Sequence, residues 1–205
     1  MGVEEDRVFF VGNTMIDTLR RNESRLIKPS IWNMHQLKER EYLVMTLHRP
    51  ANVDEEDTLK LFIEEVLRSS QNYPIVFPVH PRTNKVLQKL GVESDRLILT
   101  EPLGYLEFNY LVKRAKAVLT DSGGITEETT VFGVPCLTLR ENTERPETIT
   151  LGTNELIGTD PKAIAPAMEK LFSGNWKTGS IPEMWDGKTG KRIVDEIVKL
   201  YSDTK

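Results

Sequence analysis

The residue types best suited to chemistry lie in the segment 117–139, whose sequence is AVLTDSGGITEETTVFGVPCLTL. Its pattern predicts a short strand, a tight turn over 121–124 (DSGG), a helix that Gly133 ends, and a second strand. The first N–H groups of a helix have no partner within it, the helix dipole is positive there, and glycine leaves room for an anion. The turn is therefore typical of a diphosphate-binding site.

Two interpretations of this turn stay open on the residues alone. The Ser122 hydroxyl could donate to a phosphate oxygen or cap the helix, and the two uses compete for the same geometry. Glu127 and Glu128 would stabilise the helix dipole without any ligand, although Glu128 is also placed to reach a ribose. Spacing therefore does not separate a phosphate site from an ordinary strand-to-helix turn.

The elements that hold this turn follow from an alternation of apolar runs and amphipathic segments, which is typical of βα units in a mainly parallel sheet. Strands are predicted over 7–11, 42–47, 75–79, 97–100, 117–120 and 136–139. Helices are predicted over 58–69, 83–90, 105–116, 161–172 and 192–201, the fourth with Asp160 as its cap, and 173–190 is predicted to be irregular. The pattern predicts an α/β, Rossmann-like fold of three layers, formed by residues 1–205 as one domain.

Composition excludes several classes of function. A net charge of −4 among 205 residues gives no general attraction to nucleic acid, and the apolar runs fall short of the roughly 20 residues that span a bilayer. The acidic start lacks the character of a signal peptide, so we expect a cytoplasmic protein. The histidines at 35, 48 and 80 have no metal-ligand spacing, and the single cysteine, Cys136, is expected to be a buried small hydrophobe.

Five ordered blocks of sequence together resemble one enzyme family, the non-hydrolysing UDP-N-acetylglucosamine 2-epimerases. The blocks are GNTMIDTL, TLHRPANVD, DSGGITEE, FGVPCLTLRENTERPE and DGKTGKRI. They cover nearly the whole chain but match only the second half of a family member, in which two Rossmann-like halves in the glycosyltransferase-B arrangement enclose the active site. The resemblance implies an isomerase that eliminates UDP from UDP-N-acetylglucosamine and adds it back to give UDP-N-acetylmannosamine, with neither metal nor redox cofactor.

The resemblance also implies which residues bind the diphosphate and the ribose of UDP. Ser122, Gly123 and Gly124 match the residues that hold the diphosphate, in agreement with the physical interpretation of the turn. Glu128 matches the residue that takes the ribose hydroxyls.

Other matched residues have a plainer alternative beside the implied role. Phe108, with Leu103 nearby, matches the aromatic side chain that the family places against uracil, although a phenylalanine at a helix start is more often part of a core. His48 follows a predicted strand and matches a histidine at the leaving-group phosphate; its alternative is a structural histidine at an interface. Arg145 belongs to the block ERPE and has the geometry to bind phosphate, or is one of two surface charges beside a proline.

A second ligand site is implied less directly. Arg49 and His80 resemble positions that help bind an activating UDP-N-acetylglucosamine in bacterial members. The residues after Arg49 are less basic here than in many regulated members, and the other ligands of that site belong to the first half of the family fold.

The resemblance places the proton-transferring carboxylates in the other half of the enzyme. A general base must lie within hydrogen-bond reach of its proton, so we expect this chain alone to bind UDP and to be inactive. Its expected partners are a UDP-sugar, an amino-terminal half and a second copy in a homodimer, in a route of polysaccharide biosynthesis. The alternatives are half of a UDP-sugar glycosyltransferase, a hydrolysing epimerase, or a non-catalytic nucleotide-binding module.

Overall fold

The sheet that positions the predicted turn is seen in a computed structural model, which describes residues 2, 4–53 and 55–202. In this part of the chain six strands pair in the order β3-β2-β1-β4-β5-β6, and every pair is parallel. The strands are β1 (Leu43–Thr46), β2 (Ile75–Pro78), β3 (Leu97–Thr100), β4 (Ala117–Thr120), β5 (Cys136–Thr138) and β6 (Asn154–Leu156). The α/β fold with a parallel sheet is as predicted.

Helices connect the strands and cover both faces of the sheet. In the described residues they are α1 (Thr14–Asn22), α2 (Ser30–Met34), α3 (Pro50–Val53), α4 (Glu56–Ser69), α5 (Pro81–Lys89), α6 (Tyr105–Arg114), α7 (Gly123–Phe132), α8 (Pro146–Thr150), α9 (Ile164–Phe172) and α10 (Thr189–Ser202). Short 3₁₀ turns occur at Glu5–Arg7, Glu23–Arg25 and Pro161–Ala163. Asp160 caps the last of these turns, as expected, by accepting a hydrogen bond from the Lys162 N–H.

Each face of the sheet has its own apolar core, because successive side chains of a strand point to opposite faces. Leu43 and Met45 of β1 pack into one core with α4 and α9, whereas Val44 packs into the other with α2 and α6. Cys136 of β5 is completely buried in the second core, as expected. The two cores hold β1 and β4 rigidly in register, with Thr46 opposite Thr120.

The strand order reverses between β1 and β4, and this is where open α/β sheets bind their ligands. The chain runs outward from β1 to β2 and β3, then returns to β4 on the other side of β1. The hydroxyl oxygens of Thr46 and Thr120, at the carboxyl ends of the two central strands, are 2.7 Å apart. The turn before α7 and the loop after β1 therefore leave the sheet side by side.

The predicted strand over 7–11 is wrong. After the 3₁₀ turn at Glu5–Arg7, residues 8–13 have no regular structure and pair with no strand of the described chain. Val8 and Phe10 are 65% and 67% exposed. The apolar residues 8–11 that suggested a strand instead lie on the surface, beside α10.

The first and last helices are tied to each other. The Asp17 carboxylate of α1 accepts hydrogen bonds from the N–H groups of Thr189 (3.0 Å) and Gly190 (2.7 Å) at the start of α10. A carboxylate is favourable there because the N-terminus of a helix carries unpaired donors and a positive dipole. Beyond this contact α10 is exposed along most of its length, and no described helix is long and apolar enough to cross a membrane.

Candidate nucleotide-binding site

The start of α7 has the open geometry that an anion needs. Ser122 is the N-cap residue, with extended backbone angles, and its hydroxyl makes no capping hydrogen bond within the described chain. Its N–H donates to the Thr120 hydroxyl at 3.0 Å. A Cβ at Gly124 would meet no described atom within 4 Å, whereas one at Gly123 would lie 3.5 Å from Arg140 Nη1. The helix start is therefore open above Gly124 and bordered by a cation at Gly123.

Asp121 is the centre of the hydrogen bonds that hold this site together, and the sequence interpretation missed its role. Its carboxylate is completely buried. It accepts from the backbone N–H groups of His48 (3.0 Å) and Arg49 (2.9 Å) and from the Asn52 side-chain amide (3.0 Å). Since these donors lie in the segment after β1, one carboxylate fastens that segment to the turn after β4.

The same carboxylate orients His48 and favours its protonated form. Asp121 Oδ1 lies 2.6 Å from His48 Nδ1, and this hydrogen bond raises the pKa of the imidazole above its ordinary value. Burial alone would raise the pKa of Asp121, but the bonds from His48, Arg49 and Asn52 hold that pKa below its ordinary value. His48 is thus an oriented, half-exposed donor beside the start of α7, which is the position where a phosphate contact is useful.

A second ion pair lines the opening at Gly123. The Arg140 guanidinium, at the end of β5, is 4% exposed and donates to both carboxylate oxygens of Glu144, at 2.9 Å and 2.6 Å. A Cβ at Gly123 would lie 3.6 Å from Glu144 Oε2. Neither Arg140 nor Glu144 was singled out as a separate site residue in the sequence, although both lie in the block that carries the family resemblance.

Arg145 is held on the flank of α7. Its Nε donates to the buried carboxylate of Glu127, which also accepts from the Asn13 side-chain amide at 2.8 Å. The Arg145 side chain is half-exposed. Part of its guanidinium thus faces solvent while Glu127 fixes its orientation. The sequence suggested a contribution of Glu127 to the helix dipole; in the structure it also joins α7 to Asn13, the residue before α1.

Glu128 lies one turn into α7 in an environment that disfavours its charge. It is 6% exposed, and burial raises its pKa to about 7. The Asn109 side-chain amide of α6 donates to it at 3.2 Å, and the Tyr105 side chain lies beside it. Phe108 and Leu103 are half-buried against the core that contains α6. Phe108 thus packs partly against a core, as its plainer alternative expected.

His80 lies at the neighbouring strand end. It caps α5, its Nδ1 accepting from the Arg82 N–H at 3.3 Å, and it lines an open cleft of about 470 Å³ that His48 also borders. Arg49, expected beside His80, instead donates through Nε to the Asp121 carbonyl oxygen at 3.1 Å. The structure thus brings His48 and His80 to one cleft and turns Arg49 toward α7.

Comparison with known proteins gives a consistent result. The sequence profile of the family described as UDP-N-acetylglucosamine 2-epimerase matches residues 1–198. A protein of Methanocaldococcus jannaschii named UDP-N-acetylglucosamine 2-epimerase is 38% identical over 94% of this chain and 55% of its own length. A Pseudomonas aeruginosa protein named UDP-2,3-diacetamido-2,3-dideoxy-D-glucuronate 2-epimerase is 41% identical over 78% of this chain and 45% of its own length.

Solved structures agree in fold. The crystal structure of the M. jannaschii UDP-GlcNAc 2-epimerase in complex with UDP-GlcNAc and UDP superposes with a TM-score of 0.78 at 36% identity. The match covers 96% of this chain and 56% of that structure. The chain therefore spans about half the length of the relatives and structures that it matches.

Proposed function

This chain belongs to the UDP-N-acetylglucosamine 2-epimerase family, and on that premise we propose that it is the UDP-binding half of a nucleotide-sugar 2-epimerase. The observation that carries the proposal is the open start of α7 at Gly124, with His48 beside it and Arg140 at Gly123. Unpaired helix N–H groups together with these cations form a binding site for a diphosphate. In this proposal residues 1–205 form one Rossmann-like domain.

The remaining contacts with UDP follow from their positions around α7. Ser122, Gly123 and Gly124 hold the diphosphate, since the Ser122 hydroxyl makes no cap within the described residues and Gly124 presents no Cβ. Glu128 accepts hydrogen bonds from the ribose hydroxyls. Phe108, which is only partly buried, stacks on uracil, and Leu103 packs against the same core.

The chemical contribution of this half is to stabilise UDP as it leaves. Elimination raises the negative charge on the diphosphate in the transition state, so donors fixed beforehand lower the barrier. His48 supplies an N–H whose direction Asp121 sets and whose charged form Asp121 favours, and Arg145 supplies a guanidinium whose direction Glu127 sets. Both roles require the donor to be oriented before the reaction, which is what the two buried carboxylates do.

The groups that transfer the proton at C2 belong, in this proposal, to the half of the relatives that lies outside the match. The exposed apolar residues of segment 8–10 and of α10 are the surface on which that half docks: Val8, Phe9, Phe10, Val194, Ile197 and Val198. A cleft of about 270 Å³ connects this surface to the site, since Phe10 and Ile193 line it together with Arg145. The docked half would therefore close over the nucleotide.

Two finer parts of the proposal concern a second ligand and the assembly of the enzyme. The cleft between His48 and His80 is proposed to take a second UDP-sugar, which Arg49 would reach only by leaving its bond to the Asp121 carbonyl oxygen. The complete enzyme is proposed to be a homodimer. The sugar itself is open between the named substrates of the relatives, since they include epimerases of two different UDP-sugars. A glycosyltransferase half is not favoured, because the matched relatives are named 2-epimerases.

Calorimetric titration of the chain with UDP, ADP and UDP-N-acetylglucosamine tests the proposal. We expect both uridine nucleotides to bind and ADP to bind at least about tenfold more weakly, which is 1.4 kcal/mol. The chain alone should give no UDP-N-acetylmannosamine. A chimera that places the amino-terminal half of the M. jannaschii relative before this chain should give it. Equal binding of ADP and UDP, or turnover by the chain alone, would contradict the proposal.

A further inference from the structure

The Arg140–Glu144 pair joins a buried cation to an exposed anion at the mouth of the nucleotide site. Arg140 is 4% exposed, whereas the Glu144 side chain is 63% exposed. Besides its two bonds to Glu144, Arg140 donates to the Asn142 side-chain oxygen at 3.2 Å, and its buried Nε has no partner among the described residues. The charge of the guanidinium is thus balanced mainly by one carboxylate that extends into solvent.

The carboxylate of Glu144 lies where the helix start would otherwise meet an external anion. A Cβ placed on Gly123 would lie 3.5 Å from Arg140 Nη1 and 3.6 Å from Glu144 Oε2. A guanidinium binds carboxylate and phosphate with the same two-pronged geometry. Glu144 therefore presents to Arg140 the chemical pattern of a phosphate, at the first residue of α7.

The unequal burial of the pair determines how it can separate. Glu144 can rotate into water at little desolvation cost, because it is already mostly hydrated. Arg140 cannot follow, and a buried guanidinium without an anion is strongly unfavourable. The pair will therefore open chiefly when another anion takes the place of the carboxylate.

We propose that Glu144 is an internal substitute for the diphosphate, displaced from Arg140 when the nucleotide binds, so that Arg140 becomes a phosphate ligand. This inference rests on the proposed UDP site. The exchange keeps Arg140 paired at every stage. It also weakens binding, since the nucleotide competes with a tethered carboxylate, and it assists release of UDP because the carboxylate returns to Arg140.

The experiment compares Glu144→Gln with wild type in calorimetric titrations with UDP and with inorganic pyrophosphate. Glutamine keeps an acceptor oxygen for Arg140 but removes the competing charge, so we expect it to bind both ligands about five- to tenfold more tightly. Glu144→Ala should change affinity in the same direction. Arg140→Lys, which loses the two-pronged geometry, should weaken binding and abolish the effect of Glu144→Gln in the double variant.

Glu141→Gln is the matched control, because Glu141 lies in the same loop and bonds to Thr159 instead of Arg140. It removes the same charge and should change affinity less than about twofold. Wild type that binds UDP, with Glu144→Gln unchanged or weaker, would overturn the inference and leave the proposed function standing. If Glu144→Gln binds pyrophosphate more tightly than wild type does, the inference is supported. If, in addition, no variant prefers UDP over ADP, the proposed uridine site is contradicted.

Discussion

At the level of single residues, buried carboxylates fix the direction of the exposed cations. Asp121 does this for His48, and Glu127 does it for Arg145. In each case the carboxylate lies inside the protein while the group that it orients is more exposed, and Glu127 also accepts from Asn13 in a second segment of chain. Preorganised donors of this kind cost no reorganisation when charge develops on a bound group. The sequence was enough to propose His48 and Arg145 as site residues, but it did not show that Asp121 and Glu127 orient them.

The His48–Asp121 contact gives a first prediction, on pH. The pKa of His48 is raised, so its stabilising charge is fully present below the ordinary histidine value of 6.5 and is lost as pH rises through the raised pKa. The pKa of Asp121 is lowered, so its contribution is present above its ordinary value of 3.8 and is lost as pH falls through the lowered pKa. Between those limits the pair should stabilise the fold and hold His48 protonated.

Asp121→Asn is the variant that tests this pair. It leaves the His48 and Arg49 N–H groups with a poorer acceptor, and we expect it to lower the free energy of unfolding by on the order of 2–3 kcal/mol. Titration of the His48 ring by NMR should give a pKa above 6.5 in wild type and a lower one in the variant. A His48 pKa that does not respond to Asp121→Asn would contradict the assigned contact.

Glu128 gives a second prediction, in which stability and binding change in opposite directions. Burial raises its pKa to about 7, so at pH 8 the fold contains a carboxylate that would be more stable in water. Glu128→Gln should therefore raise the free energy of unfolding at pH 8 by on the order of 1–3 kcal/mol, and the gain should vanish toward pH 4. UDP affinity should fall, because glutamine accepts fewer hydrogen bonds from a ribose.

The measurements are urea unfolding at pH 8 and pH 4, and titration with UDP at pH 8 and pH 6. Wild-type affinity should itself weaken by up to about tenfold from pH 8 to pH 6, as Glu128 takes up a proton, and that part of the pH dependence should be absent in Glu128→Gln. A variant that is destabilised at pH 8, or that binds UDP as well as wild type does, would show that Glu128 is a structural residue.

At the level of elements, α7 has two glycine-dependent ends with different purposes. Gly133 ends the helix in a left-handed conformation, with φ of 66°. Gly124 lies in the first turn, where a Cβ would meet no described atom within 4 Å. Backbone geometry requires a glycine at 133, whereas no contact among the described residues explains the glycine at 124. In the proposed function, the diphosphate close to the backbone supplies that reason.

Gly124→Ala is therefore expected to keep or raise stability while it weakens binding. Alanine is favoured over glycine within a helix by about 1 kcal/mol, and the new methyl group would stand in the opening for the diphosphate. UDP affinity should fall at least about tenfold, which is 1.4 kcal/mol. Gly133→Ala is the matched control at the other end of the same helix: it should lower the thermal midpoint and leave UDP affinity unchanged. Unaltered affinity in Gly124→Ala would place the diphosphate elsewhere.

The sequence predicted most of the strands and helices, but not the contacts that hold neighbouring segments together. Apolar runs of four to six residues were enough to place β1 to β5, whereas β6 was missed because Asn154–Leu156 is short and begins with two polar residues. The segment 8–10 was mistaken for a strand because apolar composition does not distinguish a paired edge from an exposed surface. Asp121 could not be assigned, since its partners depend on the register that places Thr46 beside Thr120.

At the level of the whole molecule, α10 has a polar side that makes local ion pairs and an apolar side that faces solvent. Lys191 pairs with Asp195, and Lys199 with Glu196, whereas Val194 and Val198 are 58% and 57% exposed. Exposed apolar surface of this extent marks a contact with another body. The chain matches only about half of each relative, and in the proposed function the other half docks on this surface.

Val198→Glu tests this surface. In the chain alone it should change the free energy of unfolding by less than about 0.5 kcal/mol and leave UDP binding intact, because Val198 is already 57% exposed. In the chimera with the relative's amino-terminal half it should reduce epimerase activity at least about tenfold. Lys191→Glu, on the polar side of the same helix, should leave the chimera active. Full activity of the Val198→Glu chimera would remove α10 from the interface.

The single cysteine of the chain, on β5, can report local opening of the sheet. Cys136 is completely buried and its thiol pKa is raised to about 11 by that burial, so a disulfide reagent reaches it only in the rare moments when neighbouring strands part. Its labelling rate under native conditions therefore reports how often the sheet opens. If bound nucleotide slows the labelling of Cys136, the ratio of the two rates would measure how much binding stabilises the sheet against opening.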